Sequence, residues 1–555
     1  MTLPSDLVFL PLGGLGEIGM NMALYGIGPK GRRKWLMVDC GVSFAGPDAP
    51  GIDLILPDIS FIAAERKNLV GIIITHAHED HFGALAALWP RLGAPVYMTQ
   101  FAASLLEVRR LQEPGAPKIA VKVVDQKARF TLGPFDIELF PVAHSIPESC
   151  GLAIRTEHGT VVHTGDWKID PTPVIGLPTD EKRLREIGDE GVLAMIGDST
   201  NVVRDGESPS EADVAKTLHA LITGAKARVA VTTFASNVAR LRAVAEAAMA
   251  ANRQVVIAGR AMDRVVDVAR ECGYLEGLPP FRSTEGFEKI PRDRVVVLLT
   301  GSQGEPRAAM ARAALDEHPD VTFAPGDRII FSSRTIPGNE KAVGAVVNGL
   351  AKQGIELITD RTHLVHVSGH PRRAEMRKMY EWLRPKTAIP AHGEALHLSE
   401  HADLARALGI PHVVRAFNGD VVQIAPGIPG IVDEARAGRV YKDGDLLVPA
   451  AAACIAERRK LAFAGVVSVS VAIERSGEIA GDAGIMIAGL PPATAKGVPM
   501  LQFVTDVVDD LLDSLPKAKR RDAETLRKAV ERAVRNSVAQ QWDKKPLCHV
   551  MVIEV

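Results

Sequence analysis

Cysteine is scarce in this chain. Cys40, Cys150, Cys272, Cys454 and Cys548 are scattered, odd in number, and form no CxxC pair. That argues against a disulfide framework and against a thiolate zinc site, and it fits a reducing compartment. Long apolar runs are missing too: none reaches the ~18 residues that a membrane span needs. The opening stretch "MTLPSDLVFLPLGGLGEIG" has no basic segment followed by a long apolar one, so it does not read as a signal peptide. These absences predict a cytoplasmic protein without a membrane partner. Charge of one sign is also lacking. The net charge is −2, so any polyanionic partner must be met by local basic patches. No long repeat or low-complexity tract is present.

What is there is length and pattern. The 555 residues have ordinary hydrophobic (46%) and charged (24%) fractions for a soluble globular protein. At ~100–200 residues per domain, three or four domains are expected. Short apolar runs punctuated by Gly, Pro and charge ("DLVFLPLGG", "NMALYGI", "KWLMVDCGV", "LVGIIITH") predict a β-rich layer with intervening helices over 1–207. The pattern then changes. Ser210 and Asp213 stand at capping-box spacing, and strand–helix–strand units of parallel type follow over 208–365. Histidine-rich loop chemistry returns over 366–430, and a Gly/Pro-rich stretch predicts a linker over 431–455. The last part, 456–555, alternates like an exposed sheet, has two helical segments, and ends in "CHVMVIEV", which reads as a strand.

Gly14, Gly16 and Gly19 fit G-x-G-x-x-G, with Asp39 at a suitable distance for a ribose-binding acid. A dinucleotide fingerprint needs a helix directly after its glycines. "MNMALYGIGPKGRRKWLMVDCG" reads instead as two apolar runs about a turn, so a Gly-rich turn between strands is the better reading.

The densest chemistry is "IIITHAHEDHFGALAAL". His76, His78, Asp80 and His81 place four ligand-type side chains in six residues after an apolar strand. Alternation along an extended loop points His76 and His78 the same way. Asp80 and His81 sit at the entry to a helix. Imidazole and carboxylate suit zinc and similar metals, and four such groups buried without partners would be costly. The rival H-E-x-x-H motif fails, because Phe82 stands where its second histidine is required. Further ligands must come from other strand ends, and His144, Asp166 and His392 are candidates. His163 lies within a strand run and reads as packed.

"THAHEDHFGA", "VAHS", "HTGDWKID" and "PAHGE" resemble, in order and type, the motifs of the metallo-β-lactamase family. The resemblance implies an α/β fold, an αββα sandwich. It implies that His76, His78 and His144 hold one metal, that Asp80, His81 and His392 hold a second, that Asp166 bridges both, and that Asp39 supports the site from behind. The long stretch between Asp166 and His392 resembles the β-CASP insertion of nucleases, with Asp198 and His370 matching its first two motifs and His392 its third. A histidine at that third position is associated with RNA substrates in the group. Within it, "TTFASNVARL", "AGRAM", "LTGSQGEP", "SSRTIPGNE" and "HVSGH" resemble the ribonuclease J family over essentially the whole chain, including a small C-terminal α+β domain. Pro371, Ala77 and Ala84 depart from the usual pattern, but no ligand position is lost.

The resemblance implies a 5′-to-3′ exoribonuclease favouring 5′-monophosphate ends of single-stranded RNA, with some endonuclease action, in RNA maturation and mRNA decay. Two divalent ions are implied, Zn²⁺ foremost, with Mn²⁺ or Mg²⁺ as alternatives. About 3.5–4 Å apart, they could share a hydroxide that attacks phosphorus. His370 is the candidate proton donor, oriented by a partner; Asp198 is a candidate to orient either His370 or a metal-ligand histidine. A loop histidine satisfied by its own backbone is the plainer alternative. His366, Ser368 and the Gly369 amide match residues that hold the terminal phosphate. Ser302 and Gln303 lie in "TGSQGEP", where Pro306 predicts a helix start and exposed amides for an anion. An ordinary strand-to-helix turn accounts for that segment equally well. The basic run 517–536 is laced with acids and reads as a solvated helix face. The C-terminal domain is expected to support a homodimer or homotetramer, and decay-complex partners are possible. Two other functions fit some of these features: a thioester-type hydrolase on the same fold, and a non-catalytic RNA-binding scaffold.

Overall fold

The computed structural model describes residues 5–46, 48–336 and 338–555. Two sheets face each other around a shared apolar layer. The first has eight strands in the order Gly430–Glu434, Asp420–Ala425, Asp6–Gly13, Met22–Gly28, Lys34–Val38, Leu69–Ile73, Val96–Met98, Val121–Val123. The second has seven, in the order Arg129–Leu132, Phe135–Pro141, Cys150–Thr156, Gly159–His163, Val192–Asp198, Thr387–Ala391, His412–Val413. Phe9, Tyr25, Leu36, Val38 and Ile73 from one sheet pack on Ile137, Leu152, Ile154, Val161 and Ile196 from the other. On the outer face of the second sheet, Leu184, Ile187, Met376, Met379, Trp382 and Leu404 come from the helices Glu181–Glu190, Arg373–Leu383 and Ala395–Ala407. On the outer face of the first, Trp35 meets Phe61 of the helix Ser60–Ala64 edge-on. The four layers follow from alternating strands that bury one face against a partner sheet and the other under helices.

The glycine motif near the start leads into the strand Met22–Gly28, not a helix, as the turn reading requires. Gly14 and Gly16 take φ of 87° and 89°, where a Cβ would be strained.

Between the sandwich segments, five all-parallel strands form a separate sheet in the order Gln254–Ala258, Val295–Leu299, Val229–Thr232, Arg328–Phe331, Glu356–Ile358. Val295–Leu299 is buried along its whole length, as a central parallel strand covered on both faces must be. The helix Glu211–Thr223 opens with the capping box of Ser210 and Asp213. One local expectation fails. The helix after "TGSQGEP" begins at Ala309, not Pro306, and is only six residues long. The amides of Gly304 and Ala308 are spent on turns to Gly301 and Glu305, and that of Gln303 goes to the Glu305 carboxylate. Those three amides are therefore not free for an anion.

A second compact unit comprises Phe44–Ile55 and Val440–Val555. Its three-stranded sheet runs Gly484–Ala488, Val466–Ile473, Leu547–Glu554. Val466–Ile473 alternates strictly, and its inward Val467, Val469, Val471 and Ile473 meet Val504, Val508, Leu512, Leu526, Val530, Val534 and Val538 from the helices Met500–Ser514 and Ala523–Trp542. Those helical residues recur every four positions, one buried stripe per helix. The stretch expected as a linker is not irregular. It holds most of the strand Gly430–Glu434, together with Arg439–Asp443 and Leu446–Pro449. Its Gly and Pro punctuate short strands, which composition alone does not distinguish from a loop.

Candidate metal centre

The strand Leu69–Ile73 is apolar and almost wholly buried, so it gives a rigid base to the loop that follows. His76 and His78 lie in that loop, and His78 caps the one-turn helix Glu79–Phe82, which carries Asp80 and His81. His76 Nε2 and His144 Nε2 lie 3.1 and 3.0 Å from His78 Nδ1. Three ring nitrogens thus converge. The outer nitrogens of two of the rings are engaged: His76 Nδ1 lies 3.0 Å from Thr75 Oγ1, and His144 Nδ1 lies 2.8 Å from the Gly369 carbonyl oxygen.

A second set adjoins the first. His81 Nε2 stands 3.2 Å from Asp166 Oδ2 and 3.5 Å from Asp80 Oδ2. His392 Nε2 is 3.5 Å from Asp80 Oδ2, and its Nδ1 is 2.6 Å from Asp166 Oδ1. Asp166 Oδ2 also faces the first set, 3.9 Å from His76 Nε2 and 3.8 Å from His144 Nε2. His76, His78 and His144 form one grouping close enough to hold a metal ion, and Asp80, His81, Asp166 and His392 form another.

Two contributors adopt left-handed backbone. Asp39 has φ 64° and His392 φ 47°. The turn at Asp39 brings its carboxylate back to accept from Thr75 N (2.8 Å), Thr75 Oγ1 (2.9 Å) and His81 Nδ1 (2.7 Å). Asp39 therefore fixes which nitrogen of His81 faces the site.

Charge divides the two sets. Burial pushes the pKa of His76, His78 and His144 down, His78 to about 4, so these rings are neutral with lone pairs free. Burial also opposes charge on His81 and His392. There the carboxylates, Asp166 foremost, outweigh it and raise both, His392 to about 10. Burial would raise Asp80 and Asp166, but the neighbouring histidines hold both below the usual carboxylate range. The buried Asp166 carboxylate and the partly buried Asp80 demand positive partners. Imidazolium meets that demand in the protein alone; divalent cations fit the same place and leave the rings as neutral ligands.

His370 lies beside the second set. Its Nδ1 is 2.8 Å from Asp198 Oδ2 and 3.8 Å from Asp166 Oδ2. Asp198 ends the strand Val192–Asp198, and its other oxygen accepts from Thr200 N at 2.9 Å. Ser368 Oγ accepts from Asn201 Nδ2 at 2.8 Å, and the Gly369 carbonyl abuts His144. A Cβ on Gly369 would stand 2.5 Å from His144 Cε1, so only glycine fits. The Nδ1 of His366 is buried without a hydrogen-bond partner, and burial followed by Arg240, Arg334 and Lys168 pushes its pKa down to about 3. Ser302 and Gln303 are buried. Gln303 donates to Arg334 O and accepts from Ile336 N, both at 2.8 Å, which commits it to a neighbouring loop. His163 is packed as expected, 2.8 Å from the Tyr25 hydroxyl.

Sequence reasoning missed Asn21 and Asn201. Asn21 Nδ2 donates to Asp80 O at 3.0 Å and lies 3.1 Å from His81 Nε2. Asn201 also donates to His370 O at 3.1 Å. Neither carries a ligand-type side chain. The only signal was for Asn201, which closely follows Asp198.

Four family models match the chain. They are the metallo-beta-lactamase superfamily over residues 22–222, the ribonuclease J beta-CASP domain over 226–350, the Zn-dependent metallo-hydrolase RNA specificity domain over 354–415, and the ribonuclease J C-terminal domain over 453–555. A ribonuclease J from Sinorhizobium meliloti is 54% identical, covering 100% of this chain and 98% of its own. Ribonuclease J from Mycolicibacterium smegmatis is 38% identical over 100% and 98% of the two chains. The Mycobacterium tuberculosis protein of that name is 36% identical over 98% and 96%. Among solved structures, a protein of unknown function from Enterococcus faecalis V583 shares the fold at 14% identity, with a TM-score of 0.53, covering 75% of this chain and 100% of its own.

Proposed function

The chain belongs to the ribonuclease J family and is a metal-dependent ribonuclease; from that premise we propose that His76, His78, His144, Asp80, His81, Asp166 and His392 hold two divalent cations at its active site. The observation that carries this is Asp166, whose Oδ2 faces His81 Nε2 at 3.2 Å and both His76 and His144 at 3.8–3.9 Å. One carboxylate between two nitrogen sets is what a bridged pair requires. The all-nitrogen-and-oxygen donor set favours Zn²⁺, with Mn²⁺ or Mg²⁺ as the alternatives. Such ions, when bound, make water nucleophilic near neutral pH and offset the charge that gathers on phosphoryl oxygens.

The protein's own groups do the rest. Asp39 orients His81 from behind. Asp198 accepts from His370 Nδ1, which leaves Nε2 to donate a proton to the leaving 3′-oxygen. Burial disfavours the charged His370, but Asp198 and then Asp166 raise its pKa above the ordinary value, which favours the donor form. His366, Ser368 and Gly369 are the proposed seat of the terminal phosphate. Ser302 and Gln303 are proposed to contribute to substrate binding, with Gln303 holding the loop at Arg334 and Ile336.

The proposed activity is 5′-to-3′ exonucleolytic, preferring 5′-monophosphate ends of single-stranded RNA, with additional endonuclease action in RNA maturation and mRNA decay. Its proposed setting is the cytoplasm; among the described residues no helix is long and apolar enough to cross a membrane. The segment bounds given above are proposed as the domain division. We further propose self-association through the uncharged face of the C-terminal sheet, where Met486 and Met551 are exposed. A thioester hydrolase or an inactive scaffold does not fit a ribonuclease family with no ligand position lost.

The test is time-resolved digestion of one RNA carrying a 5′-monophosphate or a 5′-triphosphate. The parent should shorten the monophosphate form faster, from the 5′ end. Asp80→Ala and His81→Ala should fold and lose cleavage. Full activity in either would refute the assignment.

A further inference from the structure

A chain of three buried polar side chains lies behind the Asp198–His370 pair and has no part in the reaction described so far. His401, on the helix Ala395–Ala407, is 1% exposed. Its Nδ1 lies 2.8 Å from Ser199 Oγ, and its Nε2 lies 2.8 Å from the hydroxyl of Tyr380 on the helix Arg373–Leu383. The ring closes directly on the end of the strand Val192–Asp198, where a Cβ on Gly197 would stand 3.0 Å from His401 Cε1. Burial holds the imidazole neutral, with its pKa down at about 4. One direction of donation satisfies every group. The Tyr380 hydroxyl donates to Nε2, Nδ1–H donates to Ser199 Oγ, and Ser199 Oγ donates weakly, at 3.4 Å, to the Gly197 carbonyl.

Filling this space with an aliphatic side chain would avoid the cost of burying three polar groups. What the polar chain provides is a directional tie at one place. Ser199 directly follows Asp198. The next residue, Thr200, donates from Oγ1 to the His392 carbonyl at 3.1 Å, and Asn201 donates to Ser368 Oγ and to the His370 carbonyl. The segment 198–201 therefore touches the loops that carry His370 and His392. His401 pins it to the helix that begins just beyond His392.

We propose that His401 is a positioning residue of the ribonuclease reaction, fixing the 198–201 segment through Ser199 and so the aim of Asp198 on His370. This rests on the reading of His370 as proton donor with Asp198 as its partner. A misplacement of about 1 Å at such a group costs up to ~10²-fold in rate.

The experiment measures kcat and KM on a 3′-labelled single-stranded RNA with a 5′-monophosphate, at saturating divalent metal, with metal content and melting temperature recorded. His401→Phe and Ser199→Ala should each lower kcat about 10–100-fold with KM within about twofold and metal content unchanged. The double variant should be no worse than the poorer single one, because both break one tie. His401→Gln, which keeps a donor and an acceptor, should recover part of the rate. Parental kcat in both single variants, a raised KM at unchanged kcat, additive losses, or a Gln variant no better than Phe would each overturn the role. If His401→Phe does not fold, Ser199→Ala decides alone. Asp198→Asn is run beside them. Parental kcat there sinks the Asp198–His370 reading itself, whereas a low value there with parental Ser199→Ala sinks only the positioning role of His401.

Discussion

Of the eight non-glycine residues with positive φ among the described residues, Asp39 and His392 sit at the candidate site. Strain of this kind persists only where the surroundings over-determine it. At Asp39 they do so through three hydrogen bonds to one carboxylate. Asp39→Asn keeps the volume but loses the charge that holds His81. It should weaken metal binding about 10–100-fold, read by chelator competition, with cleavage largely restored at saturating metal. In the proposed reaction His370 carries the pH dependence. Burial works against its charged form, and Asp198 leads the groups that raise its pKa above the ordinary value. The donor is therefore present at low pH and lost as pH rises through that raised value. Asp198→Asn should move the alkaline limb of the rate profile to lower pH and cost up to about 10²-fold on that side. A profile that keeps its alkaline limb would remove His370 from the proton transfer. Much of this was legible in the sequence. Four ligand-type side chains in six residues leave little else to propose, and His144, Asp166 and His392 could be read as strand ends. Asn21 and Asn201 could not, because an asparagine's role depends on which loop the fold brings to it.

At the scale of elements, the site is made by strand ends and the loops that follow them, and the loop 366–370 is tightly constrained. Gly369 lends its carbonyl to His144 and has no room for a side chain. Gly369→Ala should displace the His144 ring, reduce cleavage more than about 10²-fold and lower metal content, while the melting temperature changes little. An unchanged rate would show that the loop yields more easily than its contacts imply. Periodicity explains which elements were readable. Val466–Ile473 alternates without a break, and both C-terminal helices bury every fourth residue, so their types were plain. The strands Arg439–Asp443 and Leu446–Pro449 are too short to show a period. The helix at Ala309 starts late because the "GSQGEP" segment uses its amides in turns before the helix can begin.

At the scale of the molecule, the sandwich supplies the proposed metal-binding side chains from its two sheets, and the parallel domain is inserted between the segments that carry Asp198 and His370. The C-terminal unit offers a different surface. On the outward face of its sheet Ser468 pairs with Met486 and His549, Ser470 with Met551, and Ala472 with Ile553. Among the described residues, no Asp, Glu, Lys or Arg of the three strands stands on that face. Met551→Asp should reduce the mass seen by sedimentation equilibrium and leave cleavage per active site unchanged; an unaltered mass would place self-association elsewhere. The account as a whole depends on two cations meeting seven side chains. The most direct measurement is an anomalous diffraction map at the absorption edge of the metal found in the purified protein. The account predicts two peaks about 3.5–4 Å apart. One lies among His76, His78 and His144, the other among Asp80, His81 and His392, with Asp166 between them. A map without peaks there, with His144 and His392 turned away, would contradict it.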